Sequence, residues 1–204
     1  MRPMRRQDRA VTAPEKIRAV IDACEVCRLG LQDGRGVYVV PVNFGHTVEG
    51  GRHVFYFHGA AEGRKVDLVR RNGWAGFELD TGYRLQGAEA ACGYTAAFQS
   101  VIGEGPIRVV ETAEEKRRGL AAIMRQATCC GDWTFPDAAV DAVCVLRLDA
   151  EDYKELKDQG YDMDDWVGKA GVEQAFESYL KGTDGVRTIF TNADGKVTSE
   201  IYST

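Results

Sequence analysis

The sequence predicts a mainly-β barrel with helices packed on its outside. Runs rich in β-branched and aromatic residues recur at 37–44, 54–58, 74–80, 97–110 and 142–148. Helical spacing is confined to a few segments, and strands and helices do not alternate as a doubly wound sheet requires.

The first helical pattern starts at Pro14 and is expected to continue to Leu29, with Ile17, Val20, Ile21, Cys24 and Cys27 on one face. Gly30 reads as its stop and Asp33-Gly34-Arg35-Gly36 as a turn into a strand over 37–44. Gly45 to Gly51 reads as a hairpin connection into the strand Val54 to His58. A helix follows over 62–72 and a strand over Trp74 to Asp80. Ala97 to Val110 reads as one long strand or a hairpin bent at 103–106. Thr112 and Glu115 form a capping box ahead of Leu120, Ile123 and Met124, so a second amphipathic helix starts there. Ala142 to Leu148 is the closing strand.

Composition excludes several classes. The 204 residues are 44% hydrophobic and 28% charged with 5 prolines, a soluble globular profile, and no apolar run approaches a membrane span. The net charge of -5 is unevenly placed: residues 1–150 are nearly neutral, while residues 151–204 hold 12 acidic and 6 basic side chains. Such a balance argues against nucleic acid as a partner. Arg2, Arg5, Arg6 and Arg9 form a basic cluster with no apolar stretch behind it, and a cytoplasmic protein is expected.

Six cysteines in such a chain are expected to be reduced. Cys24 and Cys27 have CxxC spacing but no second pair at ligand spacing, so buried thiols are expected rather than zinc. His53 and His58 have opposite parity on one strand, which argues against a shared metal with His46. No metal site is expected.

One stretch carries chemistry. Phe57-His58-Gly59-Ala60-Ala61-Glu62-Gly63-Arg64-Lys65 is a strand ending in small residues and opening into a helix with two cations at its start. Unpaired amides at a helix start bind anions, and adjacent cations suit a phosphate. Solvated surface charge is the alternative. Neither GxxxxGK[ST] nor GxGxxG is present.

That stretch, the run Val37 to Phe44, Ser100-Val101-Ile102-Gly103-Glu104-Gly105, Glu114-Glu115-Lys116 and the opening Met4 to Arg9 together resemble the pyridoxamine 5'-phosphate oxidase-like split barrels. Within that family the nitroimidazole-resistance type of flavin-binding protein is the most similar, and the resemblance covers residues 4–148. It implies a homodimer of six-stranded split β-barrels with flanking helices and an FMN at each subunit interface. Val42, Asn43 and Phe44 would line the isoalloxazine, His58, Gly59 and Ala60 would lie beside it, and Arg64 and Lys65 would hold the phosphate. Gln99, Ser100 and Val101 would meet the flavin across the interface, although Gln99 stands where many relatives carry a cation. Trp133 would cap the site, or serve as an interface aromatic. His58 would be the catalytic residue, donating a proton or a hydrogen bond to substrate. The implied activity is reduction of small aromatic or nitro-aromatic compounds with electrons from NAD(P)H. A non-catalytic flavin- or haem-binding carrier or sensor is the alternative.

After Ala150 the chain changes character and a small α+β extension is expected, with helical patterns at 151–159 and 172–181 and a hairpin of 186–191 with 196–202. Tyr153 to Arg187 resembles the non-catalytic dimerisation region of class B penicillin-binding proteins, which makes residues 151–204 an envelope-related interaction module or a fused remnant. Ser178 and Lys181 have SxxK spacing but no S-D-N or K-T-G accompanies them, so no transpeptidase is expected. Asp162, Asp164 and Glu173 fall at calcium-loop positions, yet Trp166 and Val167 occupy places that need an oxygen ligand and a glycine.

Overall fold

A computed structural model of the chain describes residues 9–34, 36–128, 131 and 133–150, and as backbone strands 152–153, 156–157, 187–191 and 197–202. The chain divides into two units, Met1–Gly160 and Tyr161–Thr204. In order, the first unit holds β1 (Ala10–Val11), α1 (Pro14–Ala23), β2 (Cys27–Asp33), β3 (Gly36–Val42), β4 (Phe44–Glu49), β5 (Arg52–Gly59), α2 (Arg64–Asn72), β6 (Trp74–Gln86) and a short 3-10 turn (Ala91–Gly93). It continues with β7 (Thr95–Val109), α3 (Ala113–Thr128), α4 (Asp137–Ala142), β8 (Cys144–Asp149), β9 (Asp152–Tyr153) and β10 (Leu156–Lys157).

Strand order along the main sheet is β3-β2-β6-β7-β8-β5-β4, with β9 added to β7. Its two end strands are joined through Asn43 alone, so the sheet curls back on itself as a split barrel. Counting β3 and β4 as one strand bent at Asn43 recovers the expected six. Separated, the path has seven strands and β9 makes eight. The run 37–44 is therefore broken at its polar residue. Gly45, expected in a connection, lies inside β4, and the actual turn is Gly50-Gly51, whose φ values of 57° and 81° suit a tight hairpin.

The first helix is shorter than its periodicity suggests. It ends at Ala23, where Cys24 turns extended, and Cys27-Arg28-Leu29-Gly30-Leu31-Gln32-Asp33 is a strand with Cys27, Leu29 and Leu31 fully inward. A period of two held within the tail of a period of 3.6 hid this strand. The Gln126 amide donates to the carbonyls of Ile21, Asp22 and Cys24, each at 3.1 Å, and so closes the helix end from α3. Both thiols are buried as expected, but they do not share a helix face. Burial pushes the Cys24 thiol up to about 12 and that of Cys27 higher still, which makes them inert.

The main core fills the barrel, with Phe44, Phe55 and Phe77 in tilted contact, Phe55 and Phe77 having centroids 4.6 Å apart. A second core lies outside it: Val54, Tyr56 and Val145 face Ala122 and Ile123 of α3. Two glycines allow that helix its close approach. A Cβ on Gly45 would sit 2.3 Å from the Ile123 nitrogen, and one on Gly119 would sit 2.7 Å from the Tyr56 ring. The capping box is half made: the Glu115 amide donates to Thr112 Oγ1 at 3.3 Å, while the Glu115 carboxylate turns to Arg108 and Arg147.

Residues 152–153 and 156–157 are strands that pair with β7 and β1, not the expected helix over 151–159. In the second unit β11 (Arg187–Thr191) pairs antiparallel with β12 (Val197–Tyr202), the hairpin the sequence predicts. The helical pattern at 172–181 lies outside the described residues.

Candidate active site at the β5–α2 corner

The register of β4 on β5 sets Phe44 opposite Phe57, so Asn43 comes off the strand end beside His58. On the other side β8 sets Val145 opposite His58 and Cys144 opposite Gly59. His58 shares the parity of Tyr56, away from the barrel interior, and is exposed. Gly59 leads through Ala60 to Gly63, whose φ of 124° only glycine adopts readily, and α2 begins without a side-chain cap. Its first intrahelical bond is Asp67 N–H to Gly63 O at 3.1 Å, so the amides of the first turn precede any acceptor in the helix. Free amides at a helix start are of the kind that can receive an anion.

The two cations of that turn diverge. Lys65 folds inward: its Nζ donates to His58 O at 3.3 Å, and a Cβ on Gly59 would meet it at 3.0 Å. Burial pulls the Lys65 ammonium below its ordinary value, opposed by the neighbouring Cys144 thiol. Arg64 folds outward. Its Nε and Nη2 donate to Asp33 Oδ2 at 2.9 and 2.7 Å, and its Cζ lies 4.5 Å over the Tyr38 ring. Arg71 reaches the other Asp33 oxygen at 3.1 Å, and the two guanidiniums hold that carboxyl below its ordinary range.

The remaining expected residues fall into two sets. Asn43, Ala60 and Trp133 are exposed. Val42, Phe44 and Val101 have side chains committed to the core, so what they can offer a ligand is backbone. Ser100 is buried and Gln99 half-buried on β7, where both pair with β6. No strand pairing brings 99–101 to the β5–α2 corner within one chain.

Sequence reasoning missed Asp33 and Arg71: Asp33 and Tyr38, the latter a residue the sequence already offers to a flavin or haem, engage Arg64, and Arg71 reaches Asp33 from the far end of α2. It also missed that His46 and His53 meet, with Nε2 and Nδ1 2.8 Å apart, His46 lying against Phe55. Burial lowers His46 to about 3, helped by His53 and Arg18, and lowers His53 with help from Arg18. Among the described residues no group of three or more His, Cys, Asp or Glu is arranged to hold a metal ion. No helix among them is long and apolar enough to cross a membrane.

The strand order β3-β2-β6-β7-β8-β5-β4, closed through Asn43, defines the chain as a split barrel, with a cationic, uncapped helix start beside the end of β5. Residues 13–154 match the family model of pyridoxamine 5'-phosphate oxidase, and the chain belongs to that family. Residues 140–204 match the penicillin-binding protein dimerisation domain, an overlap that includes β8 of the barrel. A candidate 5-nitroimidazole antibiotic resistance protein of Bacteroides thetaiotaomicron is 27% identical, with a TM-score of 0.62 over 72% of this chain and 85% of its own. The FAD and heme binding protein of Mycobacterium smegmatis is 16% identical, with a TM-score of 0.64 over 91% of this chain and 90% of its own. The flavocytochrome Anf3 of Azotobacter vinelandii is 19% identical, with a TM-score of 0.63 over 82% and 78%. Those two bear on the fold alone. No curated protein matches the sequence.

Proposed function

We propose that the chain is a flavoprotein that binds an FMN unit at the β5–α2 corner and reduces small aromatic or nitro-aromatic compounds with electrons from NAD(P)H. The observation that carries this reading is the corner itself: an uncapped helix start, the inward Lys65 and the exposed His58 meet on a barrel of the pyridoxamine 5'-phosphate oxidase family. Similarity to the candidate nitroimidazole resistance protein supports the substrate class. The donor set fits a phosphorylated ligand, since Gly59 leaves room for Lys65 and nothing else claims the first-turn amides of α2 among the bonds described.

When bound, the flavin supplies hydride acceptance and donation. Lys65 and the α2 amides bind its phosphate. Backbone of Val42, Asn43 and Phe44 borders the ring, with His58, Gly59 and Ala60 beside it and Trp133 limiting water. His58 gives a proton to the reduced substrate. In this reading a second copy of the chain closes the site with Gln99, Ser100 and Val101, so the working form is a homodimer, and its reductant places it in the cytoplasm.

The visible spectrum of the purified protein tests the reading first. A flavin spectrum, a dimer mass in light scattering and nitro-aromatic-dependent NAD(P)H oxidation are expected. A colourless protein that takes up no flavin ends the proposal, and a Soret band favours haem. His58→Ala is expected to retain flavin while turnover falls ~10²-fold, the range of lost general acid catalysis. Equal turnover in both proteins removes His58 from the chemistry.

A further inference from the structure

The pairing of β5 with β8 places an amine beside a thiol at the rim of the barrel. Cys144, the first residue of β8, lies directly across from Gly59, the last of β5, and its side chain belongs to the buried barrel core. Cross-strand neighbours on one face have Cβ atoms about 4.5–5.5 Å apart, so a side chain at 59 would ordinarily pack against Cys144. Gly59 has none, and Lys65 takes the place: a Cβ there would meet Nζ at 3.0 Å and Cε at 3.6 Å. The amine is held over that spot by its bond to His58 O at 3.3 Å.

Neither Cys24 nor Cys27 has such a neighbour. Cys27 is paired with Val42 and Leu79, and Cys24 donates to Val20 O at 3.1 Å. At the rim, burial helped by Glu111 raises the Cys144 thiol against Arg70, Lys116 and Lys65, and burial lowers the Lys65 ammonium against Cys144. Both groups are thus shifted toward their uncharged forms. An uncharged lysine amine is a base and a nucleophile, and thiol oxidation can use both properties.

We infer that Cys144 and Lys65 form a peroxide-driven covalent switch, an S–N bond that takes the Lys65 cation out of the proposed phosphate corner. The Lys65 amine accepts the thiol proton, and the thiolate attacks one oxygen of hydrogen peroxide and breaks the O–O bond. The departing hydroxide takes that proton back as water, leaving Cys144 as the sulfenic acid. The amine then attacks the sulfur, the S–O bond breaks, and the hydroxyl leaves with an amine proton as a second water. One peroxide is reduced to two waters while the sulfur loses two electrons. Two equivalents of an external thiol reverse the bond, restoring thiol and amine and leaving as a disulfide. The switch rests on the flavin reading above, since reduced flavin passes electrons to dioxygen and yields hydrogen peroxide at the site.

Peptide mapping by mass spectrometry of the full-length protein, as purified and after flavin removal, tests the bond itself. After hydrogen peroxide treatment a species joining the Cys144 and Lys65 peptides is expected, about 2 Da lighter than their sum, and dithiothreitol should return both peptides. Lys65→Met should give only oxygen adducts on Cys144. In fluorescence titration, peroxide is expected to weaken flavin binding about tenfold or more, as loss of a charge-assisted bond would, and dithiothreitol to restore it. Cys144→Ala and Cys144→Ser, checked for folding by circular dichroism, are expected to bind flavin within about twofold of wild type and to lose the response to peroxide. Oxygen adducts on Cys144 with Lys65 free, or an unmodified Cys144 where the exposed Cys92 is oxidised, overturn the inference and leave the flavin reading standing. A peroxide response that persists in Cys144→Ala overturns the switch as well. A linked species in a protein that takes up no flavin supports the bond and removes the flavin reading alone.

Discussion

The barrel carries charge in two contrasting ways. Under α3, Arg147 is nearly enclosed. Its Nη1 donates to Tyr56 Oη at 3.1 Å and Glu115 Oε1 at 3.2 Å and forms an ion pair with Glu49 Oε2 at 3.0 Å, and its Nη2 donates to Asp149 Oδ1 at 2.6 Å. Arg108 closes the other side of Glu115. Burial would raise the Glu115 carboxyl, but the two arginines outweigh it and hold it low. At the β5–α2 corner Lys65 is under-committed: it has one long bond to a carbonyl, and the helix start has no side-chain cap. The saturated cluster holds a helix to a sheet. The unsaturated one is where the proposed flavin phosphate would supply a partner for the charge.

Substitutions should separate the two regions. The largest effect is expected from Gly45→Ala, whose Cβ would press on the α3 backbone at Ile123, where no flexible side chain can yield. Loss of ~3 kcal/mol or more, seen as insolubility or an early urea transition, is expected. A wild-type transition would mean α3 can move outward and the second core is loose.

Arg147→Met comes next. It leaves Glu49, Glu115 and Asp149 facing one another, and breaking a mostly buried ion cluster on one side costs about 3–5 kcal/mol. Urea denaturation measures it, and a change under ~1 kcal/mol would show that water reaches the cluster and screens it.

The inner face of the β4–β5 hairpin sharpens the contrast through pH. His46 and His53 are kept neutral in the folded barrel, with folded pKa values below the ordinary 6.5. Between the lowered and ordinary values the unfolded chain binds more protons, so stability is complete above the ordinary value and falls as pH drops toward about 3. The slope is at most ~1.4 kcal/mol per pH unit for each group. His46→Gln should flatten it in urea midpoints taken across that range, and an unchanged slope would assign acid loss to the carboxylates.

Lys65→Met should have the smallest effect on stability, within ~0.5 kcal/mol, because a half-buried ammonium and one long hydrogen bond nearly cancel. Flavin affinity is expected to fall about tenfold or more, since charge-assisted bonds contribute roughly 1.5–3 kcal/mol. A large stability loss with intact flavin binding would reverse the comparison and make the corner structural.

Several parts of the fold were legible because the signal is local. The β5 run, the Thr112 start of α3 and the β11–β12 hairpin each follow from a few adjacent residues. β2 was not, because Cys27, Leu29 and Leu31 sit in phase with the helix before them, and only pairing to both β3 and β6 selects the strand. α4 was missed as well: Asp137 to Ala142 is a single buried valine on a short helix, too brief to show a period. At the candidate site, the strand end and the helix start could be read from Gly59 to Lys65, since both are set by consecutive residues.

The sequence by itself pointed to the barrel class through alternation and turn residues, to the family through the resemblance of its motifs, and to Gly59–Lys65 as the proposed phosphate corner through adjacent small residues and cations. Tertiary structure alone decided what each charge does. Arg64 and Lys65 are neighbours in the chain and equal in sign, yet Asp33 and Tyr38 draw one outward while Gly59 and His58 O receive the other. Electrostatic and stacking partners act through space over a few ångströms. They come from segments that chain order leaves unrelated until β2, β3 and β5 close into one barrel.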